Sequence, residues 1–229
     1  MLGFSGIVDL SHELYDGMPN IAGNPVSFGC LYTFEEMSTL TQGRLSMQGR
    51  QILMPEHCGT HLDVPAHFDP EGVSTAEIAL ERLVVPGFVL DLSHKRPREA
   101  ITVTDLEQAV VASHRQEVEA NTALLVYTGA DKVWGQPGFS SERPFLPVES
   151  AQWLVDRQIA VFGTDLIGMD DPDAWWWPSH KVWLSNGVPM CQQLCNLDQL
   201  VGKEFLFVAL PLRMRTGTAS PVRAIALLA

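Results

Sequence analysis

Short apolar runs, each closed by glycine, proline or polar residues, recur at Gly6 to Leu10, Phe88 to Leu92, Ala123 to Tyr127, Ile159 to Gly163 and Phe205 to Leu210. Runs of this length and composition read as strands, and Ile225 to Leu228 reads as one more. Helix signals lie between them. Ser74 and Glu77 have the spacing of a capping box and predict a helix over Thr75 to Leu83, while Thr104 and Glu107 predict another over Asp105 to Ala112. Pro147, whose fixed backbone angle suits a first helical turn, opens a third through Glu149, Trp153, Leu154 and Asp156. The mixture predicts an α/β chain. No repeat and no low-complexity segment divides it, so a single domain over 1–229 is expected. Two Gly- and Pro-containing stretches, Gly129 to Pro147 and Gly168 to Ser179, read as surface excursions, candidate lids or interfaces, and the second carries three adjacent tryptophans.

Composition narrows the partners. The 229 residues are 46% hydrophobic and 18% charged, enough for one large core. A formal net charge of −12 with no run of Lys or Arg argues against nucleic acid and anionic membranes, which leaves a small molecule as the expected partner. Met1 to Asn20 lacks the basic start and apolar centre of a signal peptide, and no apolar run is long enough to span a bilayer, so a cytoplasmic location is expected. Cys30, Cys58, Cys191 and Cys195 form no paired CxxC spacing and suggest neither disulfides nor a thiolate zinc site. Cys191 and Cys195 read as small buried side chains.

The chemistry is concentrated in His57-Cys58-Gly59-Thr60-His61-Leu62-Asp63-Val64-Pro65-Ala66-His67-Phe68. Imidazoles with a carboxylate suit a borderline divalent ion such as Zn²⁺ or Mn²⁺, whereas Mg²⁺ and Ca²⁺ prefer oxygen ligands. On one strand, at about 3.3 Å per residue, His57 and His61 would stand roughly 13 Å apart, too far to share an ion. A helix would be weakened at Gly59 and broken at Pro65. A tight irregular loop is therefore expected, with Gly59 and Pro65 turning the chain so that the side chains converge. His12, His94 and His114, each isolated in sequence, read as packing residues.

The same window resembles the HxGTHxDxPxHF signature of the cyclase-like metal-dependent hydrolases, which include bacterial kynurenine formamidases and isatin hydrolases. Asp9-Leu10-Ser11 with Gly17-Met18-Pro19, and Thr216 to Ala224, resemble the family's terminal segments, so most of the chain is covered. The resemblance implies a mixed β-sheet or barrel-like core with surrounding helices, of swivelling β/β/α type, and a homodimer or higher homo-oligomer. Carried over by position, it makes His57, His61 and Asp63 the metal ligands and His67 the general acid/base. Pro178-Ser179-His180 resembles the segment whose histidine sits at the active site, so His180 joins the catalytic set. In dinuclear formamidases a glutamate follows that histidine by twelve residues and bridges the metals; here the position is Gln192. A neutral amide balances a second cation poorly, so Gln192 is a candidate ligand to a single ion, Mn²⁺ or Zn²⁺. Leu194 to Asp198 also resembles the mononuclear isatin hydrolases. Asn20 to Pro25 departs from the family's Trp-Pro-Gly-Asp-Pro-like run, so the substrate wall differs there.

The reaction implied is hydrolysis of a small aromatic cyclic amide by metal-activated water, as in opening isatin to isatinate. An arylformamidase acting on N-formylkynurenine and a polyketide-type cyclase or dehydratase are the alternatives on the same fold, with a non-catalytic metal or metabolite binder the third class. Trp176 and Trp177 could stack on an aryl substrate, although a tryptophan cluster also suits an interface. Ser220 is a further candidate for substrate contact, and Arg223 suits a buried charge paired with a carboxylate.

Overall fold

A computed structural model describes residues 3–19 and 26–228. The departure at Asn20 to Pro25 lies outside the described residues. In chain order the strands are β1 (Gly6–Asp9), β2 (Ser27–Tyr32), β3 (Gly49–Leu53), β4 (His61–Asp63), β5 (Val84–Asp91), β6 (Ala123–Tyr127), β7 (Val161–Thr164), β8 (Met190–Gln192), β9 (Phe205–Val208), β10 (Ala219–Pro221) and β11 (Ile225–Leu228). The helices are α1 (Phe34–Leu40), α2 (Val103–Ala112), α3 (Val148–Val155) and α4 (Pro178–Ser185). Nine strands form one mixed sheet in the order β1-β11-β9-β5-β6-β7-β8-β4-β10, and β2 pairs with β3 as a separate ribbon. Strands β5 to β8 run parallel and the outer pairs antiparallel. A bridge between Ser11 and Leu194 joins the chain leaving β1 to the chain leaving β8, with Cys195 N–H donating to Leu10 C=O at 3.0 Å. The sheet thus curls toward a barrel.

Both faces of the central strands are covered. Val85, Val89 and Leu125 point into the curl with Leu62, Phe205 and Phe207, while Phe88, Leu90, Leu124 and Val126 point outward beneath the helices. A strand buried on two faces loses its polar alternation, which is why these segments read as continuous apolar runs. Trp183 of α4 is fully buried and stacks on Phe162 of β7 at 4.4 Å, a pairing that contributes about 0.5–1.5 kcal/mol beyond its buried area. That contact fixes α4 against the sheet and with it His180.

Three local expectations are corrected. No α-helix forms over Thr75 to Leu83: the Ser74–Glu77 side-chain bond is present at 2.7 Å, but it closes one turn, followed by the 3₁₀ segment Leu80–Arg82. Thr75 is drawn away from a helical path because its N–H donates to Gly217 C=O and its hydroxyl to Met214 C=O. Helix α2 exists, but its capping box is Thr102 with Asp105, two residues before the pair read from sequence. The stretch from Gly129 to Pro147 is only partly a surface excursion, since Phe139, Arg143 and Leu146 are buried. Helix α3 agrees closely, with Pro147 as its N-cap.

Candidate metal centre

Strand β4 lies between β8 and β10, so all three of its residues are buried. His61 and Asp63, two apart on a strand, share a face. His61 is directly opposite Gln192 in the β4–β8 register, which brings that amide to the same face. His57 approaches from the preceding loop, turned back at Gly59, where φ is +56° and a Cβ would meet Leu14 Cδ2 at 2.8 Å. The window is therefore a loop only up to Thr60; a strand begins at His61, and Pro65–His67 is a 3₁₀ turn. Ligand atoms of His57, His61 and Asp63 all lie within 4.8 Å of one another. His57 Nδ1 is 2.7 Å and His61 Nε2 3.4 Å from Asp63 Oδ1.

The surrounding hydrogen bonds test whether these atoms suit a cation. His61 Nδ1–H donates to Gly59 C=O at 2.8 Å, which leaves Nε2 as a bare lone pair facing Asp63. Thr218 donates its hydroxyl to Glu56 Oε2 at 2.8 Å, so its oxygen accepts from His57 Nε2–H at 3.1 Å, which directs Nδ1 toward Asp63 Oδ1. Burial pushes the Glu56 carboxyl up, but bonds from Thr218 and Ala219 outweigh it and hold the group ionised at neutral pH. Burial likewise favours protonation of Asp63, yet His61 and His57 hold it well below the usual carboxylate range. Burial keeps His61 low and neutral. His57 Nδ1, His61 Nε2 and a carboxylate oxygen of Asp63 thus converge on one point, an arrangement that a divalent ion satisfies. Thr218→Val should weaken metal binding about 10-fold, the lower end for loss of an outer partner, while Thr218→Ser retains it. Calorimetric titration with Zn²⁺ checks this; an unchanged affinity in Thr218→Val would remove Thr218 from the centre.

Across the site, Asp170 serves two purposes. It accepts backbone N–H groups from Ser179 and His180 at the start of α4, and its other oxygen pairs with His180 Nδ1. That leaves His180 Nε2 facing Gln192, 3.2 Å from its side-chain amide, which also bonds Asp63 Oδ2. His67, at the end of the 3₁₀ turn, has its ring 4.1 Å from that of His57 and 6.4 Å from that of Trp177. Burial, reinforced by His57, pushes His67 down to about 4, so its ring is neutral at neutral pH. These groups border a cavity of about 410 Å³.

The cavity gathers His57, His61, Asp63, His67, His180 and Gln192, together with Trp177. It does not include Trp176, which is 59% exposed, or Ser220, which is fully buried with its hydroxyl accepting from Leu212 N–H and donating to Pro221 C=O. Ser220 is thus tied to backbone. Arg223 is not buried but forms an exposed pair with Asp9. Four residues at or around the site were not singled out from sequence: Glu56, Arg143, Asp170 and Gln193. Glu56 adjoins the histidine window and could have been found there. Asp170 stands ten residues before His180, and no local spacing connects them.

This arrangement has counterparts. Residues 8–171 match the family model described as "Putative cyclase". The chain belongs to the cyclase family. Among curated proteins it is similar to the kynurenine formamidases of Bacillus thuringiensis (strain Al Hakam) and Geobacillus thermodenitrificans (strain NG80-2), at 27% and 28% identity over 219 residues, 95% of each chain. Among solved structures it is similar to isatin hydrolase A from Labrenzia aggregata bound to benzyl benzoate, with TM-score 0.81 and 25% identity over 97% of this chain and 93% of that one. An isatin hydrolase bound to the product analogue thioisatinate superposes with TM-score 0.85 at 24% identity, covering 97% and 92%, and shares the fold. The mixed sheet flanked by helices is therefore the cyclase-family architecture.

Proposed function

We propose that this chain, a single domain over 1–229, is a metal-dependent hydrolase that cleaves a C–N bond other than a peptide bond in a small aromatic amide, and that a cyclic amide of isatin type is opened. The convergence of the His57, His61 and Asp63 donor atoms beside a neutral His67 carries this reading. A bound divalent ion, Mn²⁺ or Zn²⁺, supplies polarisation of the carbonyl and a water whose pKa falls toward about 7. His67 takes the proton of the attacking water and returns it to the departing nitrogen, and the product is a carboxylate. His180, aligned by Asp170, presents Nε2 to the substrate side. Trp177, at the cavity wall, offers an aromatic face.

The second reading, arylformamidase action on N-formylkynurenine, is favoured by the kynurenine formamidase relatives. Purified protein of known metal content, assayed with isatin and N-formylkynurenine side by side under Mn²⁺ or Zn²⁺, separates them. Opening of isatin supports the lactam reading, activity on formylkynurenine alone replaces it with the second, and silence on both overturns the pair.

Gln192 supports a single ion, because an amide adds no negative charge beside Asp63. Gln192→Glu is expected to raise the metal content from one to two ions per chain, read by elemental analysis; an unchanged value leaves Gln192 without a ligand role. A homodimer is supported by the β2–α1–β3 arm, where Leu31, Leu40 and Leu53 are 60–77% exposed and α1 buries no residue. Sedimentation should give twice the 25.3 kDa chain mass and Leu31→Asp/Leu53→Asp the chain mass; a monomeric parent protein would contradict the pairing. No helix among the described residues is long and apolar enough to cross a membrane. All four cysteines are free, which fits the reducing cytoplasm.

A further inference from the structure

Arg143 is 8% exposed and lines the same cavity as the histidines, yet it forms no ion pair among the described residues. Its Nε–H donates to Ser140 C=O at 3.0 Å and Nη1 to Asp170 C=O at 2.7 Å. The adjacent Asp170 carboxylate is committed to His180 and the start of α4. Nη2 makes no hydrogen bond among the described residues. It stands 3.6 Å from the point a Cβ would occupy on Gly168, a residue at φ +142° whose missing side chain leaves open the space between Arg143, His180 and Gln192. Asp170 and Asp171 supply some compensating charge, but neither carboxylate makes an ion pair with the guanidinium, and burying it without one is costly. Burial accordingly pushes Arg143 down to about 10, still cationic at neutral pH.

Charge elsewhere in the cavity sharpens the point. Asp63 and Asp170 are the carboxylates among the residues lining the cavity, so with a divalent ion bound the site keeps an excess of positive charge with Arg143 beside it. A fixed guanidinium fork with one free nitrogen is suited to a carboxylate, whose acceptor oxygens match its N–H geometry.

We infer that Arg143 is the carboxylate-recognising residue of this cavity, so that the site's ligand carries an anionic carboxylate on the side facing Gly168. Its chemical class is an aryl amide or its hydrolysis product bearing a carboxylate. The identity of the ligand rests on the hydrolase reading; the presence of a carboxylate pocket does not. The group has two sources, the product of ring opening or a carboxylate already on an open-chain substrate.

The test compares wild type, Arg143→Met and Arg143→Lys, each metal-loaded and matched for melting temperature. If the product carboxylate is the ligand, the inhibition constant of isatinate rises on the order of 10- to 100-fold in Arg143→Met, well beyond any rise in KM for neutral isatin. If the carboxylate belongs to the substrate, the wild type prefers N-formylkynurenine over its decarboxylated analogue N-formylkynuramine by a similar factor, and that preference collapses in Arg143→Met. Either result supports the inference, and partial retention in Arg143→Lys adds to it, because the charge persists without the fork. Equal losses for charged and neutral ligands, or no loss, overturn it in favour of a brace between Ser140 and Asp170. Calorimetric titration of metal-free protein with isatinate and kynurenine reads Arg143 without turnover. Weaker binding in Arg143→Met there upholds the pocket even if no substrate is hydrolysed, and equal binding overturns it.

Discussion

Asp63→Ala is expected to abolish metal binding and, with it, all hydrolysis. Asp63 supplies the only carboxylate among the three convergent donors, and it is 1% exposed between His57 and His61. Without it, two neutral imidazoles remain to hold a divalent cation in a buried site, and nothing balances the charge. The affinity loss should exceed the 10- to 100-fold typical of outer partners, placing it above about 10²-fold. Turnover falls further, since the carbonyl polarisation and the lowered water pKa, from 15.7 toward about 7, disappear together. Asp63→Asn serves as the companion because it keeps the shape and the contact with Gln192 while removing the charge. Both variants should emerge nearly metal-free by elemental analysis. Added Zn²⁺ or Mn²⁺ should raise the melting temperature of wild type, because a ligand that binds only the folded state stabilises it, and should leave Asp63→Ala unmoved. Full metal occupancy in either variant would reject the ligand set.

The sequence carried the parts of this site that are local and lost those that are not. His57, His61 and Asp63 sit within seven residues, and the prediction of a shared ion needed only donor chemistry and spacing. The backbone was harder to read. A window carrying Gly59 and Pro65 looked too broken for an element, but a three-residue strand needs no propensity of its own when β8 and β10 pair with it on both sides. The central strands β5 and β6 were legible because burial on two faces leaves an uninterrupted apolar run. By contrast, β2 and β3 are largely exposed, so no apolar pattern marks them. Helix α1 is equally exposed, and its Thr33–Glu36 capping box is a local signal with no buried face beside it. Asp170 and Arg143 belong to loops that meet the site only through tertiary packing, which explains why spacing gave no sign of either.

His67→Ala is the second large effect expected, and it should separate chemistry from metal binding. The His67 ring lies 4.1 Å from the His57 ring, but His67 is not one of the three donors that converge within 4.8 Å. Its removal should therefore leave the metal content unchanged while kcat falls on the order of 10²- to 10⁴-fold, the range for loss of a positioned acid/base. KM should move much less, because the residue acts on a proton in flight rather than on the bound ground state. His67→Gln keeps a polar group of similar reach but cannot accept and return a proton at neutral pH, so it should be nearly as slow. Added imidazole should restore part of the rate in His67→Ala, where the vacated ring position faces the cavity, and less in His67→Gln. A parallel loss of metal from His67→Ala would make His67 a ligand and return proton transfer to His180. Unchanged turnover would remove the acid/base role of His67 altogether and leave a hydrolase whose proton transfer runs through another group.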